Sequence, residues 1–373
     1  MDELIVDLRH QIEIMKLLDN EPELRPGTRE DNHKLGLMLL GKFSALDSYA
    51  ARVRRRYINE FTALATPPND LDVLMYDLRV RFEREFGFTP VMERNSDSVI
   101  GLPQHKAIAD PVPVGAVIQS PAAATDGEHV KVGVVDTALV PHPTFPANLV
   151  SGTQLTPSGA EPLPVLAMHS AFLVGLIRHE APAAGIVVRA GLDADRDRSS
   201  VWQVAREIAD LQDQHLDILN LSFGVTGDHE APPMALRRAI DRLDPRVLVI
   251  AAAGNRKGDQ DEPKQVWPAA MTDVVAVGAT NAIFSMTGPW VDCSAAGVFV
   301  TSTFPAFPVT LSSQDVITFG NGLAKWSGTS FAAGTVTGAV AARMSRTPGM
   351  TAREAFAVLL ADNGQDPVRQ PTP

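Results

Sequence analysis

The sequence predicts an α/β fold: a three-layer domain around a mostly parallel central sheet, preceded by a helical N-terminal domain. Three observations carry this reading. From Val130 onward the chain holds short runs rich in Val, Ile and Leu ("VKVGVVDTAL", "GIVVRAGLD", "LDILNLSFG", "VLVIAAAGN", "DVVAVGATN"), each ending in polar or glycine residues. Uninterrupted apolar strands are expected of a parallel sheet covered on both faces. Between them lie helical patterns ("HSAFLVGLIRHE", "SSVWQVAREIADLQDQH", "PPMALRRAIDRL"), and such alternation marks an α/β domain. Ahead of residue 95, apolar residues instead recur near helical spacing, as at Leu4, Ile5, Leu8, Ile12 and Leu17, which predicts amphipathic helices.

In order along the chain, residues 1–94 read as a helical domain. "EDNHKLGLMLLGKFSALDSYAARVRRRYINEFTAL" offers a long amphipathic run, and "NDLDVLMYDLRVRFEREF" a further helix with Asn69 as its N-cap. Breaks fall at Glu21–Glu30, which contains Pro22, Pro26 and Gly27, and at Pro67-Pro68, since proline ends helices. The basic run Arg52, Arg54, Arg55, Arg56 reads as a solvated helix face. Residues 95–128, rich in Pro, Ala and Gly, read as a linker or an extended arm along the next domain. The α/β domain follows at 129–363, and 364–373 is a tail.

Composition bounds the function. The net charge of −11 over 373 residues argues against nucleic-acid or acidic-membrane binding, because phosphate contact needs basic surface. No run has the roughly 18 uncharged apolar residues of a membrane helix. The single cysteine, Cys293, excludes an intrachain disulfide framework and a cysteine-based zinc cluster; its setting "WVDCSAAGVFV" is that of a buried small residue. The acidic, amphipathic start lacks the features of a secretory signal, so the expected compartment is the cytoplasm.

Amide hydrolysis by a nucleophile needs a hydroxyl or thiol, a base, a group that orients the base, and donors for the oxyanion. Four polar residues at strand ends or helix starts could supply them. Asp136 ends the strand "VGVVD", where a carboxylate can orient a histidine or merely cap a turn. His169 opens the helix "HSAFLVGLI" and can exchange a proton near neutrality. His142, His179, His215 and His229 compete with it from loops or charged surroundings. Asn255 follows "VLVIAAAG", and its amide can donate to a developing oxyanion or settle a turn. Ser330, after Gly328-Thr329 and before a helix of Ala, Gly and Thr, is either a nucleophile or an N-cap. The order Asp, His, Ser is the one found in subtilisin.

On these motifs the chain resembles the subtilisin-like serine proteases over about residues 130–345. "VVDTAL" is similar to the family's Asp motif, "HSAFLVGLI" to its His motif and "GTSFAAGTVTG" to its nucleophile motif. The resemblance therefore implies Asp136 as orienting acid, His169 as general base and Ser330 as nucleophile. "AAAGN" resembles the oxyanion strand, making Asn255 the donor and Ala252, Ala253 and Gly254 the lining of the specificity pocket. "ILNLSFG" resembles the strand that binds substrate main chain, implicating Ser222, Phe223 and Gly224. The resemblance also puts Val266 and Trp267 near the pocket floor, favouring a small or medium apolar residue before the scissile bond.

The chain departs from the family pattern in two places. Ser170 and Ala171 stand where Gly-Thr follows the histidine, and Gly334 stands where proline follows the serine. Glycine there is expected to loosen the helix start, by up to about 1 kcal/mol in propensity. No cofactor and no metal site is expected: "DADRDRSS" offers Asp193, Asp195 and Asp197, but Arg198 and Val204 occupy positions where a calcium loop needs Gly and Glu. It reads as a loop capping the next helix. The acidic loop Asp259, Asp261, Glu262 reads as solvated surface or as a preference for basic substrates.

The function expected is a serine endopeptidase acting on peptide or protein substrates, with narrow or regulated specificity. The alternative is a catalytically silent binding module of the same fold. The N-terminal domain is expected to be retained as a regulatory module that engages a protein partner, with an inhibitory prodomain as the alternative.

Overall fold

In the computed structural model the described residues are 2–99, 110–115, 122–157, 161–195, 198–225, 231–256 and 265–363. The acidic loop at Asp259–Glu262, His229 and the tail 364–373 lie outside them. Two units divide the chain: residues 1–96 with 233–239, and residues 97–232 with 240–373.

The first unit is helical over only part of the runs read as helices: residues 3–7, 28–32 and 37–41, within or beside those runs, are strands instead. Its elements are β1 (Glu3–Asp7), α1 (Gln11–Asp19), β2 (Thr28–Asn32), β3 (Leu37–Gly41), α2 (Leu46–Arg56), α3 (Ile58–Thr62), α4 (Asp70–Phe86) and β4 (Met92–Arg94). The strands form one antiparallel sheet in the order β2-β3-β1-β4. The run "LIV" in β1 is buried and too short to distinguish strand from helix by period. β2 and β3 meet through a turn in which Gly36 takes φ 65°, a conformation glycine adopts at little steric penalty. Asn69 caps α4 as expected, accepting from Asp72 N while the Asp72 carboxylate accepts from Asn69 N, a capping box.

The basic run on α2 is engaged in ion pairs: Arg52 bonds Glu21 and Glu23, Arg54 bonds Asp70, and Arg56 reaches Asp77. Asp77 is fully buried, accepting also from the Tyr49 hydroxyl and Arg81. Burial and the adjacent Asp77 push the Tyr49 hydroxyl well above its ordinary range. Residues 233–239 contribute Arg238, whose guanidinium donates to Asp7 Oδ2 at 2.8 Å. Burial would raise the Asp7 carboxyl, but hydrogen bonds from Arg9 and Arg238 outweigh it and hold it below the usual carboxylate range.

The second unit begins with two short strands from the segment read as linker or arm, β5 (Asp97–Val99) and β6 (Val112–Pro113). The main body follows as β7 (Lys131–Asp136), β8 (Val150–Gly152), β9 (Leu163–Pro164), α5 (His169–Glu180), β10 (Gly185–Ala190), β11 (Arg198–Ser200), α6 (Val201–Asp210), β12 (Ile218–Leu221) and β13 (Gly224–Val225). Then come α7 (Met234–Asp241), which crosses the unit boundary, β14 (Leu248–Ala252), β15 (Val274–Ala279), β16 (Cys293–Ala295) and β17 (Val300–Thr303). The chain closes with β18 (Pro308–Thr310), β19 (Val316–Thr318), β20 (Leu323–Trp326), α8 (Thr329–Ser345) and α9 (Ala352–Asn363).

Seven strands form the predicted sheet in the order β16-β15-β14-β12-β7-β10-β8, every pairing parallel. Val132, Val134, Ile186, Val188, Ile218, Leu248 and Ile250 face one core with α5, α8 and α9. β7 is followed by β10 on one side and β12 on the other. At such a reversal the adjoining crossovers part and leave a crevice at the strands' carboxyl ends. Asp136 ends β7, Ser222 follows β12 and Asn255 follows β14, on three adjacent strands. No helix among the described residues is long and apolar enough to cross a membrane.

Candidate active site

β7 is buried along its apolar length and delivers Asp136 at its end with no exposed surface. Its Oδ1 accepts from Thr137 N at 2.8 Å. His169, at the start of α5, brings Nδ1 to 2.8 Å from Asp136 Oδ1 and 2.9 Å from Oδ2. The carboxylate can only accept, so Nδ1 carries the proton and Nε2 is left with its lone pair. The imidazole is wedged against Phe331 and Trp326, with ring centroids at 5.3 and 5.9 Å. Among the described residues, His142 and His179 are placed differently. His142 bonds Thr144 and the Gly322 carbonyl, and burial pushes both His142 and His179 below the ordinary histidine range.

Ser330 lies in the first turn of α8, 4% exposed. Its hydroxyl donates to the Ser222 carbonyl at 3.2 Å, so the nucleophile candidate is level with the end of β12. A buried network fixes this junction: Ser222 Oγ bonds Asn220 Oδ1 at 2.7 Å, and Asn220 Nδ2 donates to Thr337 Oγ1 on α8 at 2.9 Å. Asn255 sits beside the same turn, its Oδ1 accepting from Thr329 N at 3.0 Å and from Thr329 Oγ1 at 2.9 Å. With the amide oxygen committed to Thr329, the amide N–H pair is the end available to a ligand. Thr329, Asn220 and Thr337 were not singled out from sequence. A threonine abutting Ser330 and an Asn inside the apolar run "ILNLSFG" were the available signals.

The departures are accommodated locally. Ser170 is fully buried and donates to the Ala138 carbonyl at 3.1 Å. Gly334 does not loosen α8, which is buried from Thr329 to Ala342. A Cβ on Gly334 would come within 2.5 Å of Leu173 Cδ1 on α5, so this glycine lets the two helices approach. Tertiary packing outweighs its weak helix propensity.

The expected substrate-binding residues lie at or just beyond the carboxyl ends of β12 and β14, two adjacent strands. Gly224 and Val225 of β13 pair antiparallel with Val99 and Ser98 of β5, which pairs on its other edge with β11. An extended segment of the chain therefore already occupies the edge expected to take substrate main chain, bound by the strand addition that sheet edges use to hold peptides. Phe223, Ala252 and Ala253 are buried, with Ala253 N donating to the Val277 carbonyl and the Gly254 carbonyl accepting from Met286 N. β6 pairs with β20, which leads within a few residues to Ser330. In the loop read as a helix cap, Asp193 accepts from Asp195 N, and Ser200 caps α6 by accepting from Gln203 N. Among the described residues no three His, Cys, Asp or Glu side chains converge as a metal site.

Comparison with known proteins agrees with this geometry. The model of the subtilase family (Peptidase S8) matches residues 127–367. Subtilisin E of Bacillus subtilis (strain 168) is 28% identical over 264 residues, covering 65% of this chain and 64% of that protein; the chain thus spans just under two thirds of that relative. An alkaline protease of Alkalihalobacillus alcalophilus is 27% identical over 349 residues, covering 82% of this chain and 85% of that protein. Among solved structures, fervidolysin from Fervidobacterium pennivorans superimposes with a TM-score of 0.61 over 96% of this chain and 57% of that one, at 16% identity, a likeness of fold. The parallel sheet, the residues at its strand ends and the family match over most of the second unit converge: the chain belongs to the subtilase family.

Proposed function

We propose that the protein is a serine endopeptidase in which Ser330 attacks the peptide carbonyl, His169 Nε2 accepts its proton and returns it to the leaving amine, Asp136 orients the imidazole, and Asn255 donates to the oxyanion. The observation that carries this reading is the contact of His169 Nδ1 with both oxygens of the fully buried Asp136. A carboxylate without solvent stabilises the imidazolium that forms as Ser330 loses its proton. The Ser330 hydroxyl, bonded to Ser222 in the resting chain, turns toward Nε2 when substrate enters, as resting catalytic contacts commonly tighten on binding.

A polypeptide substrate is the class favoured, because the β13 edge holds an extended strand by main-chain pairing. That strand is the chain's own β5, so the intact protein is restrained by self-occupancy. Residues 1–96, which lead directly into β5, act as the regulatory part. The test is labelling of the purified protein with a fluorophosphonate probe, with Ser330→Ala as control, alongside mass spectrometry of its N-terminus. Labelling at Ser330 with turnover of peptides lost in Ser330→Ala is expected. A folded protein that neither labels nor turns over peptide would sink the enzyme reading in favour of a silent binding module.

A further inference from the structure

The family resemblance and the proposed function place the pocket for the side chain preceding the scissile bond between the backbone of Ser222–Gly224 and that of Ala252–Gly254. β5 fixes the register. Gly224 lies opposite Val99 and Val225 opposite Ser98, so a strand continued two residues in this antiparallel register comes level with Ser222. The Ser222 carbonyl is itself 3.2 Å from Ser330 Oγ. On the proposed function, a residue at that level offers its carbonyl to Ser330 and Asn255 and its side chain to the space between Gly224 and Gly254.

That space is taken. A Cβ on Gly224 would lie 2.6 Å from Val266 Cγ1, and one on Gly254 would lie 2.9 Å from Val266 Cγ2. One methyl of this valine therefore occupies the space where each glycine's side chain would begin. Met286 adds to the closure, its Cγ lying 3.4 Å from where a Cβ on Gly254 would be. Val266 cannot swing aside: it is buried, its carbonyl accepts from Ala270 N, and the following Trp267 carbonyl accepts from Val225 N at 2.8 Å. β-branching further restricts its χ1. A larger side chain entering here meets a filled volume, and overpacking a close-packed site is unfavourable.

We infer that Val266 plugs the specificity pocket and limits the enzyme to peptides with glycine or alanine immediately before the cleaved bond. The inference rests on the active-site reading above and sharpens the expectation of a small or medium residue to the smallest side chains.

The test is a set of peptides differing only at that position, as Gly, Ala, Leu, Phe or Lys. They are given to the wild type, Val266→Ala and Val266→Gly, with active sites counted by fluorophosphonate labelling and folding checked by thermal melting. For the wild type, kcat/KM on Gly or Ala is expected to exceed that on Leu or Phe by roughly 100-fold or more, the scale of discrimination that a pocket makes over a few methylenes. Val266→Gly should raise kcat/KM on Leu and Phe at least about 10-fold, with Val266→Ala intermediate should the glycine variant fail to fold. A labelled wild type that cleaves after Phe as readily as after Ala, or a profile indifferent to both substitutions, overturns this inference alone. Absence of labelling overturns the active-site reading and this inference with it.

Discussion

Thr329 holds Asn255 with two hydrogen bonds, one from its backbone N–H at 3.0 Å and one from its hydroxyl at 2.9 Å, both to the same amide oxygen. On the proposed function, the residue before Ser330 thereby sets which end of the Asn255 amide faces the substrate. Asn255→Ala is expected to lower kcat by about 10²–10³-fold with little change in KM, the usual loss for one oxyanion donor. Thr329→Val keeps the N–H but removes the hydroxyl. It should lower kcat by roughly 10-fold in the wild type and have almost no effect when Asn255 is already Ala, since residues sharing one contact are non-additive. Steady-state kinetics on the four proteins decides it; additive losses would break the link.

The buried Asp136–His169 contact gives a second prediction. Asp136→Asn leaves the shape of the site intact but offers the ring an amide in place of a carboxylate. That stabilises the wrong tautomer and weakens the imidazolium. A loss of about 10⁴-fold in kcat is expected, with an unchanged melting profile. A loss smaller than about 10-fold would mean that His169 is not oriented through Asp136.

Gly334 packs against Leu173, so Gly334→Ala should destabilise the protein by about 1–3 kcal/mol through overpacking, although alanine is the better helix former. Leu173→Ala alone leaves a cavity and is expected to cost about 2–5 kcal/mol. The double variant should be less destabilised than the sum of the two, because the added methyl enters the space that leucine left. Denaturant unfolding of the four proteins measures the coupling. Gly334→Ala at or above wild-type stability would show that the contact yields.

Asp126 bonds the Arg346 guanidinium through both oxygens, at 2.8 and 2.6 Å. The hydrogen bond from Arg346 holds the Asp126 carboxyl below the usual carboxylate range, against the opposing effect of burial. A carboxylate depressed in the fold stabilises it above the unfolded-state pKa, near 4, and that contribution is lost as pH falls through the lower folded value. Asp126→Asn should therefore lower stability by about 1–2 kcal/mol at pH 7, discounted for the half-exposed arginine. The gap between variant and wild type should shrink steadily below pH 4. Melting temperatures at pH 7, 5, 4 and 3 provide the check, and a pH-independent gap would contradict the linkage.

The α/β part was legible because its strands are buried on both faces and so spell themselves as apolar runs, each closed by polar or glycine residues. Asp136 and Asn255 could be read at the ends of "VGVVD" and "VLVIAAAG" for that reason. The first unit's sheet was hidden. β2, "TREDN", carries no apolar residue at all, and β1 is followed almost at once by a helix, so neither gives a period of its own. Gly36, inside what read as one long helix, was the available turn signal. β5 and β6 were illegible for a different reason: their partners, β11, β13 and β20, lie far along the chain, and no local pattern encodes such pairing. Gly334 was misjudged because propensity is local, whereas its neighbour Leu173 belongs to another helix.

On the proposed function, β5 also sets the terms on which any outside substrate is recognised. A strand tethered to its own binding edge competes as a ligand present at about millimolar effective concentration, and it never diffuses away. A free peptide pairing with β13 no more strongly than β5 does must reach comparable concentration to displace it. The intact chain should therefore show an inflated KM without a lowered kcat. Cutting or lengthening the tether should then bring KM down with no alteration to a single residue at the catalytic centre.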